Sequence, residues 1–311
     1  MDISNPLLNK SELSIIKTIK TSFIIDTYKK AFADLSIEKF LTEPEIYLCQ
    51  CSKTKYRFFY PFNIAGDAAF YEYLQQFDWY YMPWKWEHQK VMDRIKALGK
   101  NIKVLEIGCA KGSFVARLTQ ENIETIGLEL NEKAGAEGRA NGLNILNETI
   151  QKHASKNYES YDIVCSFQVM EHIPNIGEVL QASVNALKKG GKLFISVPNN
   201  YSFLGLDESN PLNLPPHHMG LWNETSLRNI APFFGLKLDN IYLEPLQDYH
   251  KQYFKGIINK CLEEQYTYYR KKYKIIGRLY FKIFRHQIMR NIYKRYPQIE
   301  NFTIIAEYTK I

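Results

Sequence analysis

Short apolar runs alternate along the middle of the chain with stretches of helical periodicity. Strands are expected near 102–108, 123–130, 143–148, 161–167 and 191–197, each followed by a helix-like pattern. Strands that alternate with helices build a parallel sheet through right-handed crossovers. Leu236 to Leu243 reads as a sixth strand, and Phe302 to Lys310 alternates well enough to close the sheet as an antiparallel seventh. The fold class is therefore α/β, with an open seven-stranded sheet. Upstream, Ile15, Ile16, Ile19, Phe23 and Ile24 recur at three- and four-residue spacing, which predicts that residues 11–40 are helical. Residues 45–62 alternate and are rich in Tyr and Phe, the pattern of a small hairpin. Residues 67–98 read as helices bracketing the aromatic run from Phe77 to Trp86. Four regions follow: an N-terminal helical and hairpin cap at 1–98, the sheet core at 99–245, a helical insertion at 246–300, and the closing strand at 301–311.

Charge singles out the insertion. It holds 13 Lys and Arg against 4 Asp and Glu, a net of +9, while the whole chain carries +7 and the remainder is therefore −2. It is also rich in tyrosine. Ile275, Ile276, Leu279, Tyr280 and Ile283 form one helical stripe, and Lys274, Arg278, Lys282 and Arg285 a basic face. A solvated helical subdomain accounts for this pattern. So does a surface that meets an anionic membrane or a phosphorylated, lipid-linked acceptor. No recognised RNA- or DNA-binding module accompanies it, so no nucleic acid is expected.

With 45% hydrophobic and 14% aromatic residues, the 311-residue chain can bury a full core. No uninterrupted apolar stretch reaches the ~18 residues of a membrane span, and the N-terminus lacks a basic-then-apolar signal pattern. Five scattered cysteines favour a reducing compartment. A cytoplasmic protein is expected, peripheral at the inner membrane face if the insertion binds lipid. The pair Cys49 and Cys51 has one intervening residue and no second pair nearby, which is wrong for zinc, so no metal is expected.

The candidate chemistry begins at Val104 to Phe114. An apolar strand ends in Glu106, a loop of small residues follows (Gly108, Cys109, Ala110, Gly112), and a helix begins. Such a turn lets the backbone approach a ligand closely and presents unpaired N–H groups. The spacing is Glu-x-Gly-x-Ala-x-Gly, which matches neither the dinucleotide fingerprint nor a phosphate-binding P-loop. A carboxylate inside the turn repels a diphosphate and suits a cationic ligand with an amino group. About 20 residues further on, Glu129 ends the next strand, where an acid grips ribose hydroxyls.

On these residues the chain resembles the class I S-adenosylmethionine-dependent methyltransferases. Tyr161 to His172 is similar to the fourth-strand motif of the branch that includes ubiquinone-type O-methyltransferases and many sugar-modifying enzymes. Ala186 to Pro198 looks like the following turn and fifth strand. The resemblance implies a Rossmann-like methyltransferase sheet and S-adenosylmethionine as cofactor, held by Glu106, Gly108, Cys109, Ala110, Gly112, Glu129, Leu130, Thr149, Ile150, Phe167 and Gln168. Two positions depart from the family: Ala110 stands where Gly is usual, and Thr149 where an Asp commonly meets the adenine. Upstream, Tyr56 to Pro61, Phe70 to Glu72 and Lys85 to His88, with Pro215 to Trp222 downstream, resemble a subgroup associated with bacterial polysaccharide and glycan biosynthesis. That implies a saccharide, sugar-nucleotide or lipid-linked glycan acceptor, with methylation expected at oxygen, and nitrogen and carbon also open.

An alcohol acceptor benefits from a base. His172 follows the fourth strand; His217 and His218 follow the fifth, in the loop that usually covers the acceptor. These three are the catalytic candidates. Tyr81 and Trp86, with His217 and His218, are the candidate acceptor contacts, since Tyr and Trp offer an apolar face and a polar edge. A non-catalytic protein that binds cofactor or acceptor in glycan assembly, or a methyltransferase on another small molecule, is the alternative. The oligomeric state is not legible.

Overall fold

The computed structural model describes residues 3–9, 11–77, 80, 82–99 and 101–311, with the backbone alone at 275–278 and 280. Tyr81 lies outside the described residues, as do the side chains of Ile275, Ile276, Arg278 and Tyr280. The N-terminal region contains β1 (Leu13–Lys20), α1 (Thr21–Ala31), β2 (Glu45–Cys51), β3 (Arg57–Tyr60), α2 (Ala68–Gln75) and α3 (Trp86–Leu98). The hairpin at 45–62 is present as β2 and β3. The helix expected over 11–40 is corrected: its first part is β1, paired antiparallel with β2, and only Thr21–Ala31 is helical. The run Leu-Ser-Ile-Ile-Lys-Thr-Ile-Lys is β-branched enough to serve either period, and the adjacent hairpin edge decides it. Ile15 and Ile16, which set the helical spacing, are 49% and 44% exposed.

The core follows the expected alternation. Strands β4 (Lys103–Ile107), β5 (Glu124–Leu128), β6 (Ile145–Leu146), β7 (Tyr161–Phe167) and β8 (Leu187–Pro198) alternate with α4 (Ser113–Gln120), α5 (Glu132–Ala140), α6 (Ile150–Lys156) and α7 (Ile176–Ala186). After β8 come β9 (Gly220–Leu221), α8 (Glu224–Ile230), β10 (Leu236–Leu243), α9 (Asp248–Arg295) and β11 (Thr303–Lys310). The main sheet has seven strands in the order β10-β11-β8-β7-β4-β5-β6. β4 through β8 pair in parallel, and β11 enters antiparallel between β10 and β8. The order reverses between β4 and β7, so the crevice at their carboxyl ends is the place where open α/β sheets bind ligands.

The cap and the core share elements. Strand β9, from the loop after β8, completes the smaller sheet β1-β2-β3-β9. Helix α3 buries Val91, Met92 and Ile95 with Val104, Ile163, Phe194 and Ile305 of the large sheet. Trp222, fully buried, lies 4.3 Å from the Tyr56 ring and fastens the cap to the core. Loop 199–222 is therefore roofed by N-terminal residues.

Helix α9 breaks at Lys274, where φ is 49°. Tyr266 and Phe281, one on each side of the break, meet ring to ring at 5.2 Å, so the insertion is a helical hairpin. Its base packs Phe254, Ile257, Ile258, Leu262 and Ile288 against Phe203 and Ile299. Beyond the break, Leu279 and Ile283 of the expected stripe are 59% and 60% exposed. Among the described residues, no helix is long and apolar enough to cross a membrane.

Candidate active site

The loop between β4 and α4 takes its shape from three left-handed residues: Gly108 (φ 69°), Ala110 (φ 49°) and Gly112 (φ 81°). A Cβ on Gly108 would sit 2.4 Å from a Val169 methyl carbon, so glycine is required there for space as well as for conformation. Ala110 holds the same kind of backbone with a side chain, at a cost of about 1–2 kcal/mol. Gly108 and Cys109 donate their N–H groups to the Leu128 carbonyl, which ties the loop to β5.

Glu129 completes that tie. Its Oε2 accepts from Ala110 N at 2.8 Å and its Oε1 from Asn131 N at 2.7 Å. Asn131 in turn caps α5 by accepting from Ala134 N. Leu130, beside Glu129, is 64% exposed. Glu106 is buried, and one of its carboxylate oxygens has no partner. Burial, reinforced by the nearby Glu129 charge, pushes its pKa up to about 8. At neutral pH this carboxyl is therefore mostly protonated.

Thr149 uses its hydroxyl to cap α6, accepting from Lys152 N at 3.3 Å, and the Ile150 side chain is buried in the core. Phe167, at the end of β7, packs edge-on against Phe114 and His88 at 4.8 and 4.7 Å. Gln168 follows in the left-handed region (φ 55°) and donates to Glu87 Oε1 at 3.4 Å. Trp86 is half-buried at the start of α3. Every described cofactor candidate thus lies at the carboxyl end of β4, β5, β6 or β7 or in the turn that follows.

The three histidine candidates converge from two segments 45 residues apart. The rings of His172, His217 and His218 lie 4.5, 5.0 and 4.6 Å apart pairwise. The Glu171 carbonyl accepts from both Met219 N and Gly220 N, which pins the loop after β8 onto the segment after β7. Each Nδ1 donates to an oxygen: His172 to the His217 carbonyl (2.7 Å), His217 to the Leu212 carbonyl (2.8 Å) and His218 to Asn213 Oδ1 (3.2 Å). Asn213 Nδ2 donates to Asn200, which turns its Oδ1 toward His218. All three rings therefore carry the same tautomer, with the lone pair on Nε2. Tyr80 donates its hydroxyl to His217 Nε2 at 3.0 Å. Burial lowers all three pKa values, His172 to about 4, and the rings' mutual proximity lowers His217 and His218 further. At neutral pH the cluster is an uncharged set of nitrogen lone pairs.

Sequence reasoning missed the parts that hold these groups: Glu87, Asn213 and Tyr71, whose hydroxyl donates to the His217 carbonyl at 3.3 Å. Glu87 is 1% exposed, with one oxygen unpartnered, and burial raises its pKa to about 7. Its place in Lys-Trp-Glu-His was visible, but a buried carboxyl in a helix's first turn has no periodic signature.

Comparison with known proteins agrees with this geometry. A methyltransferase-domain family model matches residues 83–241, more than half of the chain. The ubiquinone biosynthesis O-methyltransferase of Cronobacter sakazakii is 30% identical over 103 residues, 31% of this chain and 42% of that protein. The Serratia proteamaculans enzyme of the same name is 29% identical over 102 residues. The matched part spans about two-fifths of these relatives' length. A solved S-adenosylmethionine-dependent methyltransferase from Archaeoglobus fulgidus superposes with a TM-score of 0.50 at 18% identity, covering 72% of this chain and 94% of that one, and shares the fold. With the family model matched from α3 through β10, across the crevice just described, this chain belongs to the methyltransferase-domain family.

Proposed function

We propose that the protein transfers a methyl group from S-adenosylmethionine to a hydroxyl of an acceptor held between the aromatic cap and loop 199–222. The observation that carries this is one crevice with two halves. One half is a cofactor loop with a neutral buried Glu106 and a tethered Glu129. The other is the uncharged histidine cluster after β7, the strand next to β4. In the reaction the acceptor oxygen attacks the methyl carbon and the carbon–sulfur bond breaks. The sulfonium becomes a neutral thioether, and the hydroxyl proton leaves through the histidine side. Since the leaving group is already activated, positioning supplies most of the catalysis.

A saccharide, sugar-nucleotide or lipid-linked glycan acceptor is the reading we favour. Half-buried Tyr71 and Tyr80, beside the histidines, offer stacking faces and polar edges for a sugar ring. A phenolic acceptor is the second reading, favoured by the likeness to ubiquinone biosynthesis O-methyltransferases. Methyl transfer from labelled S-adenosylmethionine to sugar nucleotides, lipid-linked sugars and catechol-like phenols separates the two. Transfer to phenols alone would overturn the glycan reading, and calorimetry showing no binding of the cofactor would overturn both.

Cofactor binding should release protons. Glu106 is mostly protonated at pH 7 when unliganded, and an adjacent α-ammonium favours its ionised form. Calorimetry in buffers of different ionisation enthalpy should show release approaching one proton near pH 7 that fades above pH 8, and Glu106→Gln should abolish it. The sign for stability follows. Glu106, Glu87 and Glu171 all have raised folded-state pKa values, so between roughly pH 6.5 and 8 the folded chain binds more protons than the unfolded one. Cofactor-free stability should therefore fall as pH rises through that window, and thermal melts of the Gln variant should show a shallower fall.

The helical hairpin is proposed to meet an anionic lipid surface. Leu279, Ile283 and Phe284 are exposed beside Lys282 and Arg285, and each cation near such a surface contributes about 1 kcal/mol. Co-sedimentation with phosphatidylglycerol vesicles should exceed that with phosphatidylcholine vesicles at low salt and fade at high salt. Equal sedimentation with both would leave the hairpin a solvated subdomain.

A further inference from the structure

We infer that His172, His217 and His218, with the Glu171 carboxylate beside them, form a binding site for one divalent transition-metal ion of the zinc class. Spacing alone does not reveal it, because the ligands come from two segments 45 residues apart and only the adjacent His217 and His218 are close in the chain. Among the described residues, these three histidines form the one group whose candidate ligand atoms all lie within 4.8 Å of one another.

Four observations point to an ion rather than to a packed core. First, all three Nδ1–H groups are committed to carbonyl oxygens, which leaves the Nε2 lone pairs as the available donors. Metal-bound imidazoles are held this way, by a hydrogen bond from the other nitrogen that fixes tautomer and ring orientation. Second, among the described residues Tyr80 is the one donor that meets an Nε2 of these rings, at His217, while His172 also meets the Gln168 carbonyl. A core of stacked histidines would ordinarily pair donor with acceptor, and uniform tautomers forbid that here. Third, Glu171 is 2% exposed, its Oε2 has no partner, and its Oε1 lies 3.9 Å from His172 Nε2. A buried carboxyl oxygen without a donor is costly unless something binds it. Fourth, the donor set of imidazole nitrogens with one carboxylate oxygen suits zinc, iron, cobalt or nickel rather than magnesium or calcium.

The geometry asks for a modest closure. Nitrogens around a tetrahedral zinc at about 2.0–2.1 Å lie roughly 3.3 Å apart, so atoms up to 4.8 Å apart must draw together by as much as about 1.5 Å. His217 must also exchange the Tyr80 hydroxyl for the ion. Three nitrogens and the Glu171 oxygen make four protein donors, so an acceptor oxygen enters as a fifth ligand or in place of the carboxylate. This deepens the methyltransferase reading and rests on it for the ion's role. With the Nε2 lone pairs on the ion, the histidines no longer take the proton: an acceptor hydroxyl bound to the ion ionises more readily, its proton passes to solvent water instead, and the resulting oxygen anion attacks the methyl carbon. Binding of the ion itself is independent of that role.

The test is titration of the metal-stripped full-length protein with cobalt(II) chloride. Visible d–d bands should saturate at one equivalent per chain. They should be displaced by zinc(II) and lack the near-ultraviolet sulfur-to-cobalt band that cysteine ligation would give. His172→Ala and His218→Ala should each weaken cobalt binding at least tenfold, and Glu171→Gln should weaken it less. Tyr80→Phe should bind at least as tightly as the parent, because it removes the competitor for His217, and this variant keeps the question open to test if an alanine variant fails to fold. Absence of saturable d–d bands, a sulfur-to-cobalt band, or unchanged affinity in folded histidine variants would overturn the site. Calorimetry with S-adenosylmethionine on the same metal-stripped samples is the separate readout: normal cofactor binding with no cobalt binding rejects the metal and keeps the methyltransferase.

Discussion

Replacing His218 or His172 with Ala should lower methyl transfer by about 10²–10⁴-fold, the usual contribution of a positioned proton-handling group, while S-adenosylmethionine affinity stays nearly unchanged. The separation follows from position. All cofactor candidates but Phe167 and Gln168 lie at the carboxyl ends of β4, β5 and β6 or just beyond them, whereas both histidines stand on the segments after β7 and β8. Each has one nitrogen anchored to an oxygen and Nε2 as the remaining lone pair. His217→Ala should behave differently. Its ring is held at both nitrogens, so its loss strips the imidazole donor from the Leu212 carbonyl and removes one contact of the Tyr80 hydroxyl. An unsatisfied buried polar group costs about 1–3 kcal/mol, so this variant should lose stability as well as rate. Turnover of His218→Ala and His172→Ala at parental rates on the true acceptor would remove the cluster from the reaction.

The parts of this site differ in how far they could be read from the chain. The sheet was legible because its strands are short apolar runs separated by helical periodicity, and the cofactor loop because Glu106, Gly108 and Gly112 lie within seven consecutive residues. Local patterns of this kind survive in one dimension. The N-terminal strand was misread because Ile15, Ile16 and Ile19 satisfy a helical spacing while their partner strand lies 25 or more residues away. The common tautomer of the histidines was illegible for a related reason. It depends on carbonyls of Leu212 and His217 and on an asparagine amide oriented by Asn200, and such bonds exist only once the loop after β8 has docked. Likewise, the buried state of Glu87, Glu106 and Glu171 is a property of neighbours from distant segments, and with it the pKa shifts that give these carboxyls their chemistry.

Glu129→Ala should weaken S-adenosylmethionine binding by more than tenfold, and Glu129→Gln should recover only part of the loss. The carboxylate does two things at once. Its oxygens accept from Ala110 N and Asn131 N, and so hold the cofactor loop against the turn after β5. Two carboxylate oxygens have about four acceptor sites, so one on each remains for a pair of vicinal ribose hydroxyls. A hydrogen bond to a charged group contributes roughly 1.5–3 kcal/mol, and 1.4 kcal/mol is already tenfold in affinity. Removing the side chain also frees Ala110, whose left-handed backbone is otherwise unfavourable for a residue with a Cβ. The loop should then relax toward conformations that no longer present its N–H groups. Glutamine can accept through one oxygen only and places an N–H₂ donor where a second acceptor is required, so it restores one tie and not both. Calorimetric titration of the two variants measures the effect, with circular dichroism confirming the fold. An Ala variant that remains folded and binds the cofactor as tightly as the parent would show that the ribose is held elsewhere and that the loop keeps its shape without this carboxylate.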